Sequence, residues 1–242
     1  MKKVFSFLRV NIVPIGGVFL MALIFSACKK TDSNNQAIPA AGLVAINLVP
    51  DVEAVGVAIS GNNFTNVPLY YSNYTGAYRA VYTGQRSLES YNFNNRQSMA
   101  MTNQLFKDSS YYTLFVVGTQ GNYKNVMVED KLDSLPTNTG ESFVRFVNAI
   151  TDSTNIPNVK IASGSNVLYN GVAPFGYVSD FKAVMPGDVM IEAGNESTID
   201  KNRTISVEKG KVYTVLLSGD PSATDTAKAV SIKFIINGSV SE

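Results

Sequence analysis

An eleven-residue stretch occurs twice, and its recurrence limits what this chain can fold into more than any other feature. Tyr74–Gly84 reads Y-T-G-A-Y-R-A-V-Y-T-G and Tyr177–Gly187 reads Y-V-S-D-F-K-A-V-M-P-G, with Tyr, an aromatic, a base, Ala, Val and Gly at the same spacing. Extended without gaps at an offset of 103, Ser60–Asn92 aligns with Ser163–Asn195, and nine of the 33 positions are identical. A repeat of roughly 100 residues in a chain of 242 implies two copies of one module, each of ordinary domain size.

The residues around the repeat read as strands. Module one opens with L-V-A-I-N-L-V-P-D from Leu43, and module two with F-V-R-F-V-N-A-I-T-D from Phe143, so that Asn47 aligns with Asn148 and Asp51 with Asp152. Short apolar runs rich in Val, Ile and Phe suit strands packed on both faces. The Asn and Asp side chains are expected to bind nearby backbone amides where the strand ends. A second strand, Val55–Ile59 or Val159–Ala162, stops at a shared Ser-Gly-x-Asn turn. In the repeated stretch, alternation assigns Tyr74, Gly76, Tyr78, Ala80 and Tyr82, and their counterparts Tyr177, Ser179, Phe181, Ala183 and Met185, to one face, expected to be the core face, with Arg79 and Lys182 opposite. Further strands are expected at Ser87–Tyr91, Met99–Leu105, Tyr111–Val117 and Val126–Val128, and at Val189–Ala193, Thr204–Val207, Val212–Leu217 and Val230–Ile236. Seven or eight short strands per hundred residues without a helical period predict an all-β chain of two tandem immunoglobulin-like β-sandwiches. With Asp130–Gly140 reading as a connection, the modules fall at 42–130 and 142–242, with a linker at 131–141.

Ahead of them stands a delivery segment. Lys2, Lys3 and Arg9 precede an uninterrupted apolar run, Val18–Phe25, and Ser26-Ala27 precede the sole cysteine, Cys28. This is the layout of a secretory signal peptide, residues 1–27. Asn11, Pro14 and Gly16-Gly17 make the stretch a poor membrane span. The tetrad Phe25-Ser26-Ala27-Cys28 resembles the lipobox of bacterial lipoproteins, which implies acylation of Cys28, cleavage before it and attachment to a membrane. Lys29 after the cysteine favours, by the same resemblance, the outer membrane, and the polar residues 28–41 read as a flexible tether.

The motifs F-V-N-A-I-T-D, L-Y-N-G-V-A-P-F-G-Y-V-S-D-F-K-A-V-M-P-G-D-V-M-I-E-A-G and I-S-V-E-K-G-K-V-Y-T-V-L-L-S-G resemble those of the tandem bacterial domain of unknown function 4397. The resemblance covers nearly all of module two and, more loosely, module one, which keeps Asn47-Leu48-Val49-Pro50-Asp51. It implies secreted or lipid-anchored β-domains associated with adhesion. It brings no catalytic residues.

Composition narrows the chemistry. There is no histidine, which excludes Ser-His-Asp, Cys-His and His-zinc sites. Without the signal peptide the chain carries 17 basic and 19 acidic residues and no basic stripe, so nucleic acid is not an expected partner. No calcium loop occurs, and neither a metal nor a cofactor is expected. Nothing singles out two of the carboxylates for a hydrolase, the weakest of the functional readings.

The expected function is therefore a non-catalytic, lipid-anchored envelope protein serving as an adhesion or ligand-binding scaffold, with an accessory glycan-binding lipoprotein as the alternative. Ligand binding is expected where the copies differ, at Tyr70, Tyr71, Tyr91, Asn94, Asn95 and Arg96, because Tyr joins an apolar body to a polar tip and loops unique to one copy are free to specialise. The tripeptides beginning at Asp133, Asp152 and Asp225 resemble a bacterial O-glycosylation sequon, with Ser134, Ser153 and Thr226 as acceptors.

Overall fold

The computed structural model of the protein describes residues 38–151, 156–195 and 197–240. The expected signal peptide, Cys28, most of the tether and Ser153 lie outside the described residues. Ile38–Glu242 form one compact unit.

Module one contains β1 (Ala40–Leu48), β2 (Ala54–Ile59), β3 (Asn62–Asn63), β4 (Leu69–Tyr70), β5 (Arg79–Tyr82), β6 (Gly84–Asn92), β7 (Ser98–Phe106), β8 (Tyr111–Thr119) and β9 (Asn122–Glu129). Module two contains β10 (Ser142–Ile150), β11 (Asn158–Ser163), β12 (Asn166–Val172), β13 (Lys182–Val184), β14 (Gly187–Gly194), β15 (Asp200–Val207), β16 (Lys211–Gly219) and β17 (Ser231–Ser239). Each module is a sandwich. One sheet has the order β5-β1-β8-β9 and its counterpart β13-β10-β16-β17; the other has β3-β2-β6-β7, with β4 also on β2, and its counterpart β12-β11-β14-β15. The opening strand runs parallel to β8 in module one and to β16 in module two, while the remaining pairs are antiparallel. The Ser-Gly-x-Asn signal forms a turn in both copies, and Ser60 and Gly61 take φ of 48° and 79°, as the tightest hairpins require.

Nearly every residue of β1 and β10 is buried, as strands covered on both faces must be. Alternation divides those faces. Leu43 and Ala45 enter module one's own core beside Tyr112, Leu114 and Val116, whereas Ile46 and Leu48 turn outward. Val144 and Phe146 likewise enter the core of module two, and Val147 and Ala149 turn outward. The outward residues meet each other: Ile46, Leu48, Phe115 and Val117 pack on Val147, Ala149, Leu216 and Ile235 in one cluster. The two sandwiches are thus fused face to face along a third core, four residues from each side.

A polar network runs through this seam. Arg145, 2% exposed, lies 2.6 Å from the Asp130 carboxylate, while its Nε and Nη2 donate to Thr214 and Thr113 at 3.0 and 2.9 Å. Thr113 donates to Asp130 and Thr214 donates to Asn237, each at 2.6 Å. The Tyr78 hydroxyl donates to Asp130, and Phe181 lies under the Arg145 guanidinium at 4.3 Å. Burial, reinforced by the charge of Asp130 and the bond to it, pushes the Tyr78 phenol well above its ordinary value. A desolvated ion pair needs this degree of hydrogen bonding to be tolerated. Asp130, at the edge of the stretch that reads as a linker, is accordingly a buried member of the seam.

The repeated stretch departs from its expected pattern. Only Val81 and Val184 reach a core; Tyr82 is 64% exposed and Ala80, Ala183 and Met185 are exposed too. The strand begins at Arg79 in an edge position, and Gly76 at φ 84° breaks the alternation before it. Hydrogen bonding also shows that the identical tyrosines are not equivalent in space. Asn47 N donates to Asn73 O, while its counterpart Asn148 N donates to Tyr177 O. Step is restored at Arg79 and Lys182, which pair with Leu43 and Val144. Module one therefore holds one extra residue in this loop, and a shift of one residue reverses the facing of a side chain.

Candidate functional site

The six residues expected to bind a ligand separate into three environments. Tyr91 is 4% exposed. Its ring lies across Gly56, its cross-strand partner, so closely that a Cβ there would come within 2.3 Å. The hydroxyl donates to Asn63 at 3.3 Å and the Arg96 guanidinium covers the ring at 4.8 Å. Tyr91 is thus packed within its sheet rather than offered to a ligand, which corrects the sequence reading: a register shift between Ser90 and Tyr91 and the bare backbone of Gly56 accommodate it. Tyr71 turns toward module two, with its hydroxyl 3.1 Å from Ser218 Oγ and Lys233 over its ring at 5.6 Å.

Tyr70, Asn94, Asn95 and Arg96 remain on the surface. Tyr70 pairs with Ala54, whose carbonyl accepts from Phe93 N, so the four share one end of a sheet. Most polar atoms of the hairpin are committed to its own backbone: Asn92 accepts from Asn94 N and Asn95 from Gln97 N, each at 3.0 Å. Asn94 also donates to Glu53 at 2.8 Å. This end presents to solvent Tyr70, Arg96 and the remaining amide atoms of Asn94 and Asn95.

Of the expected glycosylation acceptors, Ser134 is exposed on a 3-10 turn, Leu132–Ser134, and donates to Lys131 O at 2.7 Å. Thr226 is exposed in the loop between β16 and β17, where Asp225 caps Ala227 N at 2.9 Å. The paired asparagines behave as expected: Asn47 and Asn148 accept from Val49 N and Ile150 N, and each donates to a carbonyl of the crossing loop, Leu69 or Ala173. Both are fully buried and structural.

A different constellation lies on the side where each sandwich opens, between the edges of its two sheets. In module two this opening is a groove of about 360 Å³ between β12 and β13. Tyr169 and Tyr177 line it with centroids 6.1 Å apart, and both lean on Phe146 of the core at 4.6 and 5.6 Å. Burial raises the pKa of the Tyr169 phenol. Asn170, Asp180 and Lys182 complete the rim. Asp180 and Lys182 are exposed, and among the described residues neither makes a side-chain hydrogen bond or ion pair. Ser179 is committed, accepting from Phe146 N at 3.0 Å.

Module one is built differently at the same place. Phe64 fills the gap, with the Arg79 guanidinium 4.9 Å above its ring. Two smaller grooves flank that plug, of about 270 Å³ beside Tyr82 and Arg86 and about 280 Å³ beside Tyr74 and Asn73. A fourth hollow, about 410 Å³, lies at the seam beside Tyr78, Tyr111, Asp133 and Asn237. Sequence reasoning passed over Tyr169 because β12 was not recognised as a strand, and Tyr177 because simple alternation placed it in the core.

The profile of a family described as "Domain of unknown function (DUF4397)" matches residues 41–162, half of the chain, spanning module one and the first two strands of module two. The motifs that carry the resemblance in the sequence lie largely beyond that match, in module two. No curated protein matches. Among solved structures, the chain is similar to a "putative cell adhesion protein" from Bacteroides ovatus, at 11% identity and TM-score 0.23, over 86% of this chain and all of that one. It is similar also to a "putative cell adhesion protein" from Bacteroides eggerthii, at 10% identity and TM-score 0.22, over 83% of this chain and 96% of that one.

Proposed function

The chain belongs to the DUF4397 family, and from that premise we propose that it is a non-catalytic binding scaffold of the cell envelope, tethered through Cys28 and presenting two sandwiches as one adhesive body. The observation that carries this reading is the seam. Two sandwiches joined by a flexible linker would present independent surfaces, whereas apolar contacts and the Arg145–Asp130 network fix these at one spacing. A preorganised pair of surfaces loses little freedom when a large partner binds, which is an advantage for adhesion and has no obvious use in hydrolysis. Among the described residues the grooves named above carry at most one carboxylate each, so none offers the facing pair used in glycosidic cleavage. The tetrad ending in Cys28 supports an anchor, since acyl chains hold a protein at a membrane when more than one is attached.

Two measurements test the reading. Beads carrying the intact protein should be retained on at least one of a panel of polysaccharide and protein coatings; retention on every coating no greater than that of heat-unfolded protein would defeat the binding function. Cys28→Ser should move the protein from the membrane to the soluble fraction, and a variant that stays with the membrane removes the anchor.

A further inference from the structure

The opening between β12 and β13 brings two tyrosine rings seated on Phe146 together with three polar groups at its rim. Tyr177 is partly exposed although its ring rests on Phe146, so one face is supported by the core and another is open to solvent. Tyr169 stands beside it with its hydroxyl held by Val172 O at 3.0 Å, which fixes the ring. The rim supplies an acceptor from Asp180, a donor from Lys182 and both from Asn170. Equivalent positions in module one lack this set: hydrogen bonding places Asn73 where module two has Tyr177, and Phe64 under Arg79 closes the gap.

We propose that this groove binds a saccharide, with a pyranose ring laid on Tyr177 and its hydroxyls distributed among Asp180, Lys182 and Asn170. A pyranose has an apolar face of C–H bonds and a rim of hydroxyls that both donate and accept. Rigid tyrosines flanked by uncommitted groups of both kinds match it on each count. The volume of about 360 Å³ is at the small end for ligand sites and fits one or two sugar units rather than a folded partner. An extended peptide would instead require side-chain pockets spaced along a free strand edge; β12, of seven residues, and β13, of three, are both edge strands, but the opening between them is one short hollow and not a row of pockets. The inference rests on the binding-scaffold reading and specifies one of its ligands.

The test uses the intact protein in affinity electrophoresis through gels containing xylan, laminarin, yeast mannan or polygalacturonate. Tyrosine emission provides a second readout, because the chain has no tryptophan. At least one polysaccharide is expected to retard the protein. Tyr177→Ala should weaken that interaction about tenfold and Tyr177→Phe by less than about threefold, since the ring and not the hydroxyl supplies the platform. Lys182→Ala and Asp180→Asn alter exposed groups and carry the test if Tyr177→Ala fails to fold; at least one should weaken binding by about threefold or more. Asn103→Ala, on the exposed face of β7 in the other module, should leave it unchanged. Equal retardation of all groove variants and wild type would overturn the site, as would the absence of retardation by any of the four. Retention of beads on protein coatings alone overturns the saccharide site while leaving the scaffold reading intact; retention on none defeats both.

Discussion

Module one and module two bring the same strands to their seam, yet the buried charges they bring are of opposite sign, Asp130 from the first and Arg145 from the second. Val44 and Arg145 occupy equivalent positions, opposite Thr113 and Thr214. Asp130 and Asn237 are equivalent too, each two residues beyond the partner of that threonine. Tyr78 and Phe181 correspond, and the reciprocal contacts of Lys233 over Tyr71 and Lys124 over Phe175 extend the relation. The seam thus approximates the self-complementary surface of a two-fold dimer. Its asymmetry is concentrated in Arg145 and Asp130, which can meet only when module one faces module two. Module one against another module one would bury two aspartates, and module two against itself two arginines. A buried pair of this kind is a means of partner choice more than of stability.

The comparison breaks most sharply at Arg145. Arg145→Val, which gives module two the residue of module one, leaves Asp130 buried without its cation and should cost about 3–5 kcal/mol in urea unfolding. Adding Asp130→Asn makes both halves neutral and should restore all but about 1 kcal/mol, because it removes the unpaired buried charge while leaving an oxygen to accept from Thr113 and Tyr78. A double variant as unstable as the single one would show that the pair is not the source of the loss. A chain so symmetrised is also expected to form domain-exchanged dimers, visible by size-exclusion chromatography.

A smaller effect distinguishes the outer sheets. In module one Gly56 faces Tyr91, whereas the corresponding pair in module two is Asn158 and Gly194. Gly56→Ala drives a methyl into the Tyr91 ring and should destabilise by about 1–3 kcal/mol, while Asn158→Ala, at an exposed site, should stay within about 0.5 kcal/mol. Equal changes in the two thermal midpoints would mean that the tyrosine yields freely.

The third difference is one of pH. The Tyr78 phenol titrates above its unfolded value of 10.0, so on alkalinisation the unfolded chain releases this proton first. Its contribution is complete below pH 10 and is lost as pH rises toward the folded value. Tyr78→Phe, which copies Phe181, should flatten the decline of stability above pH 10 relative to wild type. Identical slopes for the two proteins would disprove the coupling.

Much of this fold was legible in the chain because strand alternation and turn residues are local. The unbroken apolar runs of β1 and β10 correctly implied strands covered on both faces, and Asn47 and Asn148 correctly implied backbone capping. What covered the outer faces was not legible, since a surface that meets its own copy has the same composition as a core. Arg145 inside F-V-R-F-V-N carried no visible partner, because Asp130 comes from the end of another strand's connection. Tyr91 misled for a related reason: its burial depends on a glycine 35 residues earlier, whose absent side chain makes room for it. Tyr177 misled because one residue more or less in a loop reverses facing without changing composition.

The placement of β1 has a mechanical consequence. The strand lies inside its sheet, held antiparallel by β5 over Ala40–Leu43 and parallel by β8 over Gly42–Leu48. A pull on the chain ahead of Ala40 therefore loads β1 along its length, and its bonds to β8 must yield together in shear rather than one after another. Its outer face is gripped by module two at Ile46 and Leu48, so the first strand cannot slide without also parting the two sandwiches. Tension at that end is shared by the whole body.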